Sequence, residues 1–581
     1  MSVDKSVLRL QENPYESVVL DRIPQLLSFV DRNPFSPTYG CGDRAFWHYR
    51  TMTDYASPIH QEIALTLAIA LEHLGVDNPY FQTPQILKLI ESLLDYWLGL
   101  QQRDGSFPEF YPGERSFVAT AFTSFSVSET LLRIGNRIDS VLREQLIKGL
   151  VRAATWLGSH RDTIVVNHTA GAIAFLNNMS VLTDDTHFAL LREEKIDDLL
   201  RYQHDEGWYY EYGGADLAYL SLAVDYLAQD LRRSGDERLR ESLDRALDFM
   251  CHFIHPDGSF GGEYGTRNAK YLMPHGVELM AAESESAALL ALHSRRRLRA
   301  KTGVYPPGMD DRYTGFFLNK YASAWADATE LPQVDEDRMR WVGTRFFPGA
   351  GIVLNRSTCR CTIVGLSKHG VVTNWQSQDD ETTRYGDTGF FAKLANGRVG
   401  VSQWHDLAAE YDVQEEEGGN VRISVRGSMT LFNMSLPLVR YLVPFRTFLK
   451  VFAPWGWFMD WFGRSVIKRM IVNKRPLPLN FLRTIAITGD EVVIRDQLCH
   501  AGSTPVVRLG KAPGATSIHV ASSRYWQEQD MQVDGAWEAT EELLQALNAG
   551  SSLSMITRIG RASGGDGPLS QIEVGEEVLS S

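Results

Sequence analysis

The stretch "RYQHDEGWYYEYGGADLAY" (201–219) has two counterparts in the first half of the chain. "LQQRDGSFPEFYPGERSF" (100–117) and "FIHPDGSFGGEYGTRNAKY" (253–271) repeat its order: an acidic residue, a glycine, aromatic residues, and a glutamate beside Phe or Tyr. The acidic markers are Asp104, Glu206 and Asp257. Their spacings are 102 and 51 residues, so the shorter is half the longer. Similarity at a fixed period of this size indicates a repeat architecture.

The segments between the markers have apolar residues at helical spacing. They are "PQILKLIESLLDYWLGLQ" (84–101), "REQLIKGLVRAATWLG" (143–158) and "ERLRESLDRALDFMCHFI" (237–254). At this period about six helical hairpins fit before residue 335. We therefore predict an (α/α) toroid over residues 1–335. Its marked loops, 39–55, 104–116, 160–168, 206–216 and 257–271, should line one common mouth.

After residue 335 the pattern changes to short alternating segments separated by Gly, Asn and Asp turns. Examples are "GIVLNRSTCRCTIVGLSKHGVVTNW" (351–375) and "RTIAITGDEVVIRDQL" (483–498). Many short strands of this kind predict an antiparallel β-sandwich, here over 336–561. The complete prediction is a multidomain α + β chain, followed by a Gly-, Ser- and Glu-rich tail at 562–581 that we expect to be disordered.

Composition narrows the class of protein. The 581 residues are 44% hydrophobic and 22% charged, as is usual for a globular protein of two or three domains. The net charge of −14 argues against nucleic acid as a partner. The N-terminus lacks an apolar signal sequence, and the five cysteines are too sparse for a disulfide framework. We therefore expect a cytoplasmic protein.

Segment 436–475 interrupts the predicted sandwich with a local reversal of charge. It contains eight Lys or Arg residues, a single acid (Asp460), three Trp and five Phe. Basic residues flanking aromatic side chains are typical of a helix lying in a membrane interface. The alternative is that the aromatic residues pack at a domain or subunit interface. Peripheral contact with the inner membrane face is thus one of two interpretations.

An Asn-His pair, Asn167 and His168, stands in "TIVVNHTAGAIAFLNN" (163–178), between a β-branched run and a small-residue helix. One hairpin later Tyr219 follows a Gly-Glu cluster, 52 residues after Asn167. This arrangement, with a toroid and a sandwich, resembles the heparinase II/III-like and alginate-lyase group of polysaccharide lyases. The resemblance implies a glycan lyase whose catalytic residues are Asn167, His168 and Tyr219.

The sequence departs from that family at one place. Many members carry a His-x-His-x-Asp run in the sandwich that is associated with a structural zinc. Here "NWQSQDDETTRYGDTGFF" (374–391) and "VSQWHDL" (401–407) stand in its place. We therefore expect neither a structural zinc nor any other cofactor.

The residue types suit proton abstraction from C5 of a uronic acid. That step needs hydrogen bonds to the C6 carboxylate, a base at C5 and an acid at the departing O4. An Asn amide can donate the hydrogen bonds, His can take a proton, and Tyr can act as base and then acid if cations lower its pKa. The predicted substrate-binding residues in the mouth loops are Arg44, Trp47, His48, Arg115, Trp208, Glu211, Arg267, Asn268, Tyr271 and His275.

Each candidate also has a structural interpretation. Asn167 could only cap its helix, His168 could be half-buried, and Tyr219 could belong to an apolar helix face. Glu109, Glu211 and Glu263 recur at equivalent repeat positions, which favours a structural role such as capping a neighbouring loop. In the sandwich, Tyr385, His369 and His405 are candidates to reach the mouth.

The leading hypothesis is a lyase that cleaves an anionic polysaccharide or a lipid-linked oligosaccharide by β-elimination. A C5 epimerase would use the same proton abstraction. A glycoside hydrolase would need two mouth carboxylates, for which Asp43, Asp54, Glu109, Glu211 and Asp216 are available. A non-catalytic protein of glycan biosynthesis is the fourth hypothesis, favoured by a cytoplasmic location.

Overall fold

The structure is a computed structural model. It describes residues 13–49, 53–339, 341–378, 381–432, 439–452, 455–456, 458–459, 461–462, 475–489, 491–511, 518, 537–561 and 568–573.

The first part of the chain is helical. Three short helices come first: α1 (Pro14–Leu20), α2 (Ile23–Phe29) and α3 (Arg44–Trp47). Longer helices follow in pairs: α4 (Ile63–Glu72), α5 (Pro84–Leu100), α6 (Phe117–Ile134), α7 (Ser140–Ser159), α8 (Val166–Thr183), α9 (Thr186–Leu200), α10 (Leu217–Ser234), α11 (Glu237–Cys251), α12 (Pro274–Met280), α13 (Glu285–Ala300) and α14 (Asp311–Asp327).

Within the described residues, six helices form a closed inner ring. They are the even-numbered helices from α4 to α14, each packed against the next, with α14 returning to α4. The odd-numbered helices α5 to α13 lie outside them, and α1 completes the outer layer by packing on α13 and α14. The inner helices are buried on nearly all sides, as Ile63 to Leu71 of α4 illustrate. The predicted (α/α) toroid is confirmed.

All inner helices run in the same direction. At their C-terminal ends an ionic cluster joins α4, α6, α10 and α14: Arg133 lies 2.5 Å from Glu72, and Asp327 lies 2.9 Å from Arg232 and 3.6 Å from Arg133. At the N-terminal ends some of the preceding loops contact their neighbours: the Tyr55 hydroxyl donates to the Glu109 carbonyl oxygen at 2.7 Å, and the Thr266 backbone N donates to the Ala215 carbonyl oxygen at 3.0 Å. A single mouth lined by all the marked loops stays a prediction.

The acidic-glycine markers are turns that lie against an outer helix. Gly105 and Gly207 have φ of +97° and +105°, which side chains rarely adopt. A Cβ at Gly105 would stand 2.4 Å from the Arg152 carbonyl oxygen of α7, and one at Gly207 would stand 2.2 Å from the Arg245 carbonyl oxygen of α11. In these two hairpins the marker glycine is therefore required by packing against the outer helix.

The second part of the chain forms two antiparallel sheets. Within the described residues the first has five strands in sequence order: β1 (Gly343–Phe347), β2 (Ile352–Arg356), β3 (Arg360–Gly365), β4 (Val371–Gln378) and β5 (Glu381–Asp387). The second contains β6 (Phe391–Leu394), β7 (Val399–Val401), β8 (Glu410–Glu415), β9 (Val421–Phe432), β10 (Pro476–Ile487), β11 (Glu491–His500), β12 (Val506–Lys511), β13 (Trp537–Glu538), β14 (Leu553–Arg561) and β15 (Pro568–Glu573). The described part of this sheet has the order β13-β12-β6-β7-β9-β10-β11-β14-β15, with β8 also paired to β9.

The first sheet packs on both of its faces. Val353 of β2 joins Ile423 and Ile485 of the second sheet in one core cluster. Its neighbours Ile352 and Leu354 belong instead to the toroid core. Because side chains alternate along a strand, β2 connects the two cores directly. The predicted sandwich fold is confirmed. Helices give way to strands between Asp327 and Gly343, and the exact domain boundary stays a prediction.

Two predicted segments fall partly outside the described residues. Of segment 436–475, the structure describes helix α15 (Val439–Phe452) and a few residues after it. Of the tail 562–581, predicted to be disordered, residues 568–573 form β15 and pair with β14. The prediction is wrong for those residues, because β14 offers them unpaired backbone groups; the rest of the tail lies outside the described residues.

The toroid interior holds a buried acid. Glu62 stands at the start of α4, and its Oε2 accepts hydrogen bonds from Ser126 Oγ at 2.8 Å and Asn319 Nδ2 at 3.3 Å. Burial raises the pKa of Glu62 to about 8, while Ser126, Lys320 and Asn319 act in the opposite sense. Glu62 is therefore mainly protonated at neutral pH.

This raised pKa predicts a pH dependence of stability. Between pH 4.5 and 8 the unfolded chain loses the Glu62 proton and the folded chain keeps it, so Glu62 reduces stability as pH rises. Glu62→Gln removes this contribution. We expect the stability of the variant relative to the parent to increase by at most ~1.4 kcal/mol per pH unit across that window. Urea unfolding at several pH values measures it, and a pH-independent difference would contradict it.

Candidate active site

The Asn-His pair lies in the first turn of α8, where a glutamate from the next hairpin holds it. Helix α8 begins at Val166, so Asn167 is not its N-cap. Glu211 Oε1 accepts a hydrogen bond from the Asn167 backbone N at 2.8 Å, and Oε2 accepts one from Nδ2, also at 2.8 Å. Glu211 thus caps the helix and fixes the Asn167 amide. The structural role suggested by the recurring glutamates is real for Glu211.

Asn167 keeps unused hydrogen-bonding capacity although it is buried. Its Oδ1 has no hydrogen-bond partner among the described residues. An amide nitrogen carries two hydrogens, and Glu211 takes one of those on Nδ2. A buried polar atom without a partner is rare in folded proteins and calls for a ligand, a water molecule or a functional role. The amide of Asn167 therefore remains the first candidate for contact with substrate.

His168 is oriented by an aspartate in its own loop. Its Nδ1 lies 2.7 Å from Asp162 Oδ2, while Asp162 Oδ1 accepts hydrogen bonds from the backbone N of Ile164 and Val165. Burial acts to raise the pKa of Asp162, but these hydrogen bonds, His168's first among them, hold it below its usual value. An ionised Asp162 selects the tautomer with hydrogen on Nδ1, which leaves Nε2 able to accept a proton.

Tyr219 stands in the first turn of α10 and faces a cation. Asp216 caps this helix: its Oδ1 accepts from the Tyr219 backbone N at 3.2 Å, and its Oδ2 accepts from the Arg267 backbone N at 2.8 Å. The Arg267 side chain hydrogen bonds to the Tyr219 phenol and lies over the Tyr212 ring, 4.4 Å from its centre. One carboxylate thus fixes both Tyr219 and Arg267.

Burial governs the protonation of these groups. It raises the pKa of Tyr219 well above the usual value, with Tyr212 and Tyr313 acting in the same sense and Arg267 against them. It also raises the pKa of Glu211 well above its usual range and that of Asp216 to about 6. At neutral pH Tyr219 is therefore a neutral phenol, and burial favours the neutral form of Glu211. The phenol is better prepared to donate a proton than to take one.

Several side chains predicted to contact substrate are buried and have partners inside the protein. His275 is buried, with Nε2 2.9 Å from Asp327 and Nδ1 3.5 Å from Asp225, away from the mouth. Glu211 is buried, and both of its oxygens are engaged by Asn167. The ring of Tyr271 is buried beside Tyr219, with their centroids 6.0 Å apart, so it cannot stack on a sugar. The position of a residue in a mouth loop does not indicate how deeply its side chain is buried.

Trp208 is also buried, and it belongs to a junction between the domains. Its Nε1 donates to Glu206 Oε2 at 2.8 Å, and its ring stacks on His204. The same Glu206 carboxylate accepts hydrogen bonds from the backbone N of Gly349 (2.7 Å) and Ala350 (2.9 Å) in the turn between β1 and β2. Trp208 therefore helps to hold the first sheet in place, and its predicted role in substrate binding stays a prediction.

The remaining predicted residues lie around the mouth. Arg44 pairs with Asp311 at 3.3 Å, at the start of α14. Trp47 Nε1 donates to the Phe29 carbonyl oxygen at 2.7 Å, and His48 packs edge-on against its ring. Arg115 pairs with Asp104 at 2.5 Å. Because these side chains are partly exposed, their contact with substrate stays a prediction.

Asn268 differs from the other residues of this group. It is buried, and its Oδ1 accepts a hydrogen bond from Lys368 Nζ at 2.9 Å. Its amide oxygen contacts the sandwich, and its predicted contact with substrate stays a prediction.

One of the three sandwich candidates touches a mouth loop. His405 Nε2 lies 3.2 Å from the Gly213 carbonyl oxygen. His369 Nδ1 lies 2.9 Å from the Trp404 carbonyl oxygen, inside the second domain, and Tyr385 packs against the core between the sheets. Sequence reasoning missed Asp162, Tyr212 and Lys368. Of these three residues, only Asp162 could have been found from the sequence, because it is an acid in the same short loop as His168.

The mouth carboxylates considered for a hydrolase are all engaged in the structure. Asp43 caps α3 and accepts from the Ser57 backbone N at 3.0 Å. Glu109 pairs with Arg312 at 2.8 Å, and Asp54 pairs with Arg446 at 3.3 Å. Glu211 and Asp216 hold Asn167 and Tyr219, as described above.

No group of three or more His, Cys, Asp or Glu side chains arranged to hold a metal ion occurs among the described residues. The expectation of no zinc and no cofactor stays a prediction.

Comparison with known proteins gives a family model for the helical domain. Residues 85–291 match the ulvan lyase N-terminal domain. This span runs from α5 into α13 and contains Asn167, His168, Tyr219 and Arg267. The predicted resemblance to the polysaccharide lyase superfamily is confirmed. A comparison with curated proteins found no match to the sequence.

Solved structures similar to this chain include polysaccharide lyases. One is the Streptomyces coelicolor A3 chondroitin AC lyase in complex with chondroitin sulphate, at 12% identity and a TM-score of 0.46, covering 86% of this chain and 71% of that one. Heparinase III has 9% identity and a TM-score of 0.47, covering 86% and 73%. A mutant heparan sulfate lyase HepC from Pedobacter heparinus has 10% identity and a TM-score of 0.38, covering 88% and 71%.

The Glu206 junction yields a test of the interface between the domains. Glu206→Ala leaves the backbone N–H groups of Gly349 and Ala350 and the Trp208 indole without their acceptor. Each lost partner costs ~1–3 kcal/mol when the donor stays buried. We expect a loss of about 2 kcal/mol or more in urea unfolding. The exposed neighbour variant Asp205→Ala is the control, and equal effects of the two variants would contradict this assignment.

Proposed function

We propose that the chain is a carbon–oxygen lyase that cleaves a uronic-acid glycan by β-elimination. One observation carries the proposal: the amide of Asn167, the Asp162-oriented imidazole of His168 and the Tyr219–Arg267 pair belong to neighbouring loops of one mouth. These groups supply the hydrogen-bond donor, the base and the acid that the reaction needs. The family-model match over the same loops supports it.

In the proposed reaction His168 Nε2 removes the proton on C5. The electron pair of the C5–H bond moves first toward the C6 carboxylate, which is stabilised by the remaining Asn167 Nδ2 hydrogen and the Arg267 guanidinium. It then forms the C4=C5 double bond while the C4–O4 bond breaks. Tyr219 donates its phenolic proton to O4, and exchange with water restores His168 and Tyr219. This assignment differs from a tyrosine base, because burial keeps the Tyr219 phenol protonated.

The alternatives fit the described residues less well. A hydrolase needs one protonated carboxyl group and one carboxylate, both directed at the glycosidic bond. The mouth carboxylates weighed above are engaged with backbone groups, Asn167 or arginines. An epimerase shares the first step and returns a proton to C5 instead of expelling O4.

The elimination mechanism predicts a large effect of Asn167→Ala. Loss of an oxyanion-type donor lowers the rate by about a hundredfold to a thousandfold. The substrates are uronic-acid polymers such as chondroitin sulphate and heparan sulfate, and the readout is the ultraviolet absorbance of the unsaturated product. The control is Asn136→Ala, an exposed asparagine beyond the end of α6.

Three results would contradict this proposal. New reducing ends without the ultraviolet band would indicate hydrolysis, and solvent deuterium at C5 without cleavage would indicate epimerisation. If the Asn167→Ala variant loses its melting transition together with its activity, the role of Asn167 is structural.

We also propose that segment 436–475 docks on an anionic lipid surface beside the mouth. Helix α15 lies against mouth loops: Arg446 pairs with Asp54 at 3.3 Å, and the Phe445 ring lies 6.3 Å from that of Tyr111. The described part of the segment exposes large apolar side chains, namely Tyr441, Leu442, Val443, Phe445, Val451, Trp455 and Trp461. An exposed apolar surface surrounded by basic residues matches the chemistry of a negatively charged membrane interface.

This position relative to the mouth supports a membrane-bound or lipid-linked saccharide as substrate. Basic residues near an anionic surface each contribute about 1 kcal/mol to membrane attraction. A cytoplasmic setting at the inner membrane face and a role in glycan biosynthesis are part of this proposal. Among the described helices, none is long and apolar enough to cross a membrane.

Lipid docking predicts binding to vesicles of phosphatidylglycerol and phosphatidylcholine that weakens as salt rises, because charges are screened within about 10 Å at 0.1 M. Arg440→Glu/Lys450→Glu and Trp455→Ala/Trp461→Ala should each reduce cosedimentation at least tenfold. A third variant, Arg464→Glu/Lys468→Glu/Arg469→Glu, changes basic residues outside the described part of the chain. The control is Arg426→Glu/Arg495→Glu on exposed strand positions. Unchanged vesicle binding in the first two variants, or a change of oligomeric state alone, would contradict docking.

A further inference from the structure

A lysine of the sandwich reaches the loop that carries Arg267. Lys368 ends the short 3-10 turn Leu366–Lys368 between β3 and β4. Two backbone hydrogen bonds hold this turn in place. The backbone N of Leu366 and that of Ser367 both donate to the Gly351 carbonyl oxygen, at 2.7 and 3.1 Å. Lys368 is 0% exposed, and its Nζ donates to Asn268 Oδ1 at 2.9 Å.

The contact with Lys368 holds Asn268 in an uncommon backbone conformation. Its φ is +57°, in the left-handed region that residues other than glycine seldom adopt, although asparagine adopts it more readily than most. Strained backbone of this kind persists when surrounding contacts enforce it, and it is concentrated at functional sites. The contact with Lys368 is one such constraint, and it comes from the other domain.

The residue before Asn268 is Arg267. Its backbone N is held by Asp216 Oδ2 at 2.8 Å, and its guanidinium contacts the Tyr219 phenol and the Tyr212 ring. The conformation of the two-residue step from Arg267 to Asn268 therefore determines where the guanidinium points. One end of this step is fixed by the toroid through Asp216 and the other by the sandwich through Lys368.

We propose that Lys368 is a positioning residue of the active site, which holds Asn268 in the left-handed conformation and thereby aims the Arg267 guanidinium at Tyr219 and the substrate carboxylate. The inference rests on the proposed lyase function and deepens it. It assigns to the sandwich a part in turnover that neither the repeat pattern nor the family resemblance indicated.

The charges around Lys368 make this role dependent on pH. Burial lowers the pKa of Lys368 to about 7; Asp216 and Glu263 act to raise it, and Arg267 acts to lower it. Glu263 is itself paired with Lys270 at 2.6 Å and Arg384 at 3.2 Å. A charged ammonium is a stronger donor than a neutral amine. The hydrogen bond from Lys368 to Asn268 is therefore strongest below pH 7, and it weakens as the pH rises through that value.

Lys368→Met tests the inference by removing the donor while keeping most of the side-chain volume. We expect kcat to fall about a hundredfold, as misplacement of a catalytic group by about 1 Å can cause, with a smaller change in KM. Lys368→Arg keeps a permanent positive charge, so its activity should no longer decline through pH 7. In Asn268→Asp a carboxylate partner should retain Lys368's proton and move the decline to higher pH.

The matched control is Lys511→Met, which removes another buried lysine of the sandwich, bonded to Asp387 at 2.7 Å and Asp496 at 2.8 Å. It should lower the midpoint of unfolding without changing the pH profile of the folded enzyme. If Lys511→Met alters that profile as Lys368→Met does, general destabilisation explains both and the inference falls.

A crystal structure of Lys368→Met separates this inference from the proposed function. We expect Asn268 to leave the left-handed region and the Arg267 guanidinium to move away from Tyr219. If Arg267 keeps its place, the inference is overturned whatever the activity. If Arg267 moves although the parent protein yields no unsaturated product from any uronic-acid polymer, the positioning role stands and the lyase proposal fails. Should Lys368→Met not fold, the pH shift of Asn268→Asp decides.

Discussion

The contact between Glu211 and Asn167 is the interaction on which the site depends. It is made at the start of an inner helix, where backbone N–H groups lack partners within the helix. A glutamate from the next hairpin satisfies one of them and, with its second oxygen, fixes the neighbouring amide. The same carboxyl therefore joins two hairpins, caps a helix and orients a catalytic candidate. Burial raises the pKa of this carboxyl well above its usual range, because an isolated buried charge is costly.

The sequence repeat explains how the helical hairpins pack, but it does not explain the chemistry of the candidate site. Gly105 and Gly207 recur because both turns pack against the backbone of an outer helix, whereas the third marker glycine, Gly258, lies beside the Thr302 side chain. The glutamates Glu109, Glu211 and Glu263 recur as well, but their partners differ: Arg312, Asn167, and Lys270 with Arg384. A repeated position thus supplies a carboxyl group at the mouth, and its local partner decides what that group does. Equivalent sequence positions are therefore weak evidence for equivalent roles.

Sequence reasoning was effective where the constraint is local or periodic. Helical spacing and the marker period predicted the toroid, alternation predicted the sheets, and the Asn-His dipeptide led to the candidate site. It failed where the role of a side chain depends on how deeply it is buried or on its contact with a distant segment of the chain. Trp208 and His275 resemble mouth residues by type, yet packing buries both and engages their ring nitrogens. Lys368 meets Asn268 across 100 residues, so no local pattern could reveal that the sandwich completes the loop.

The electrostatics of the mouth resolve an apparent conflict between a chain of net charge −14 and an anionic substrate. What a bound uronate experiences is the local field, in which burial disfavours the charged form of two of the acids. Burial raises the pKa of Glu211 well above its usual range and that of Asp216 to about 6. The Arg267 guanidinium lies beside neutral phenols, where a cation keeps its attraction for an incoming carboxylate because few water molecules screen it. The burial that raises the pKa values of these acids also keeps Tyr219 protonated, so one physical cause favours both the binding of a carboxylate and the protonation of the leaving oxygen.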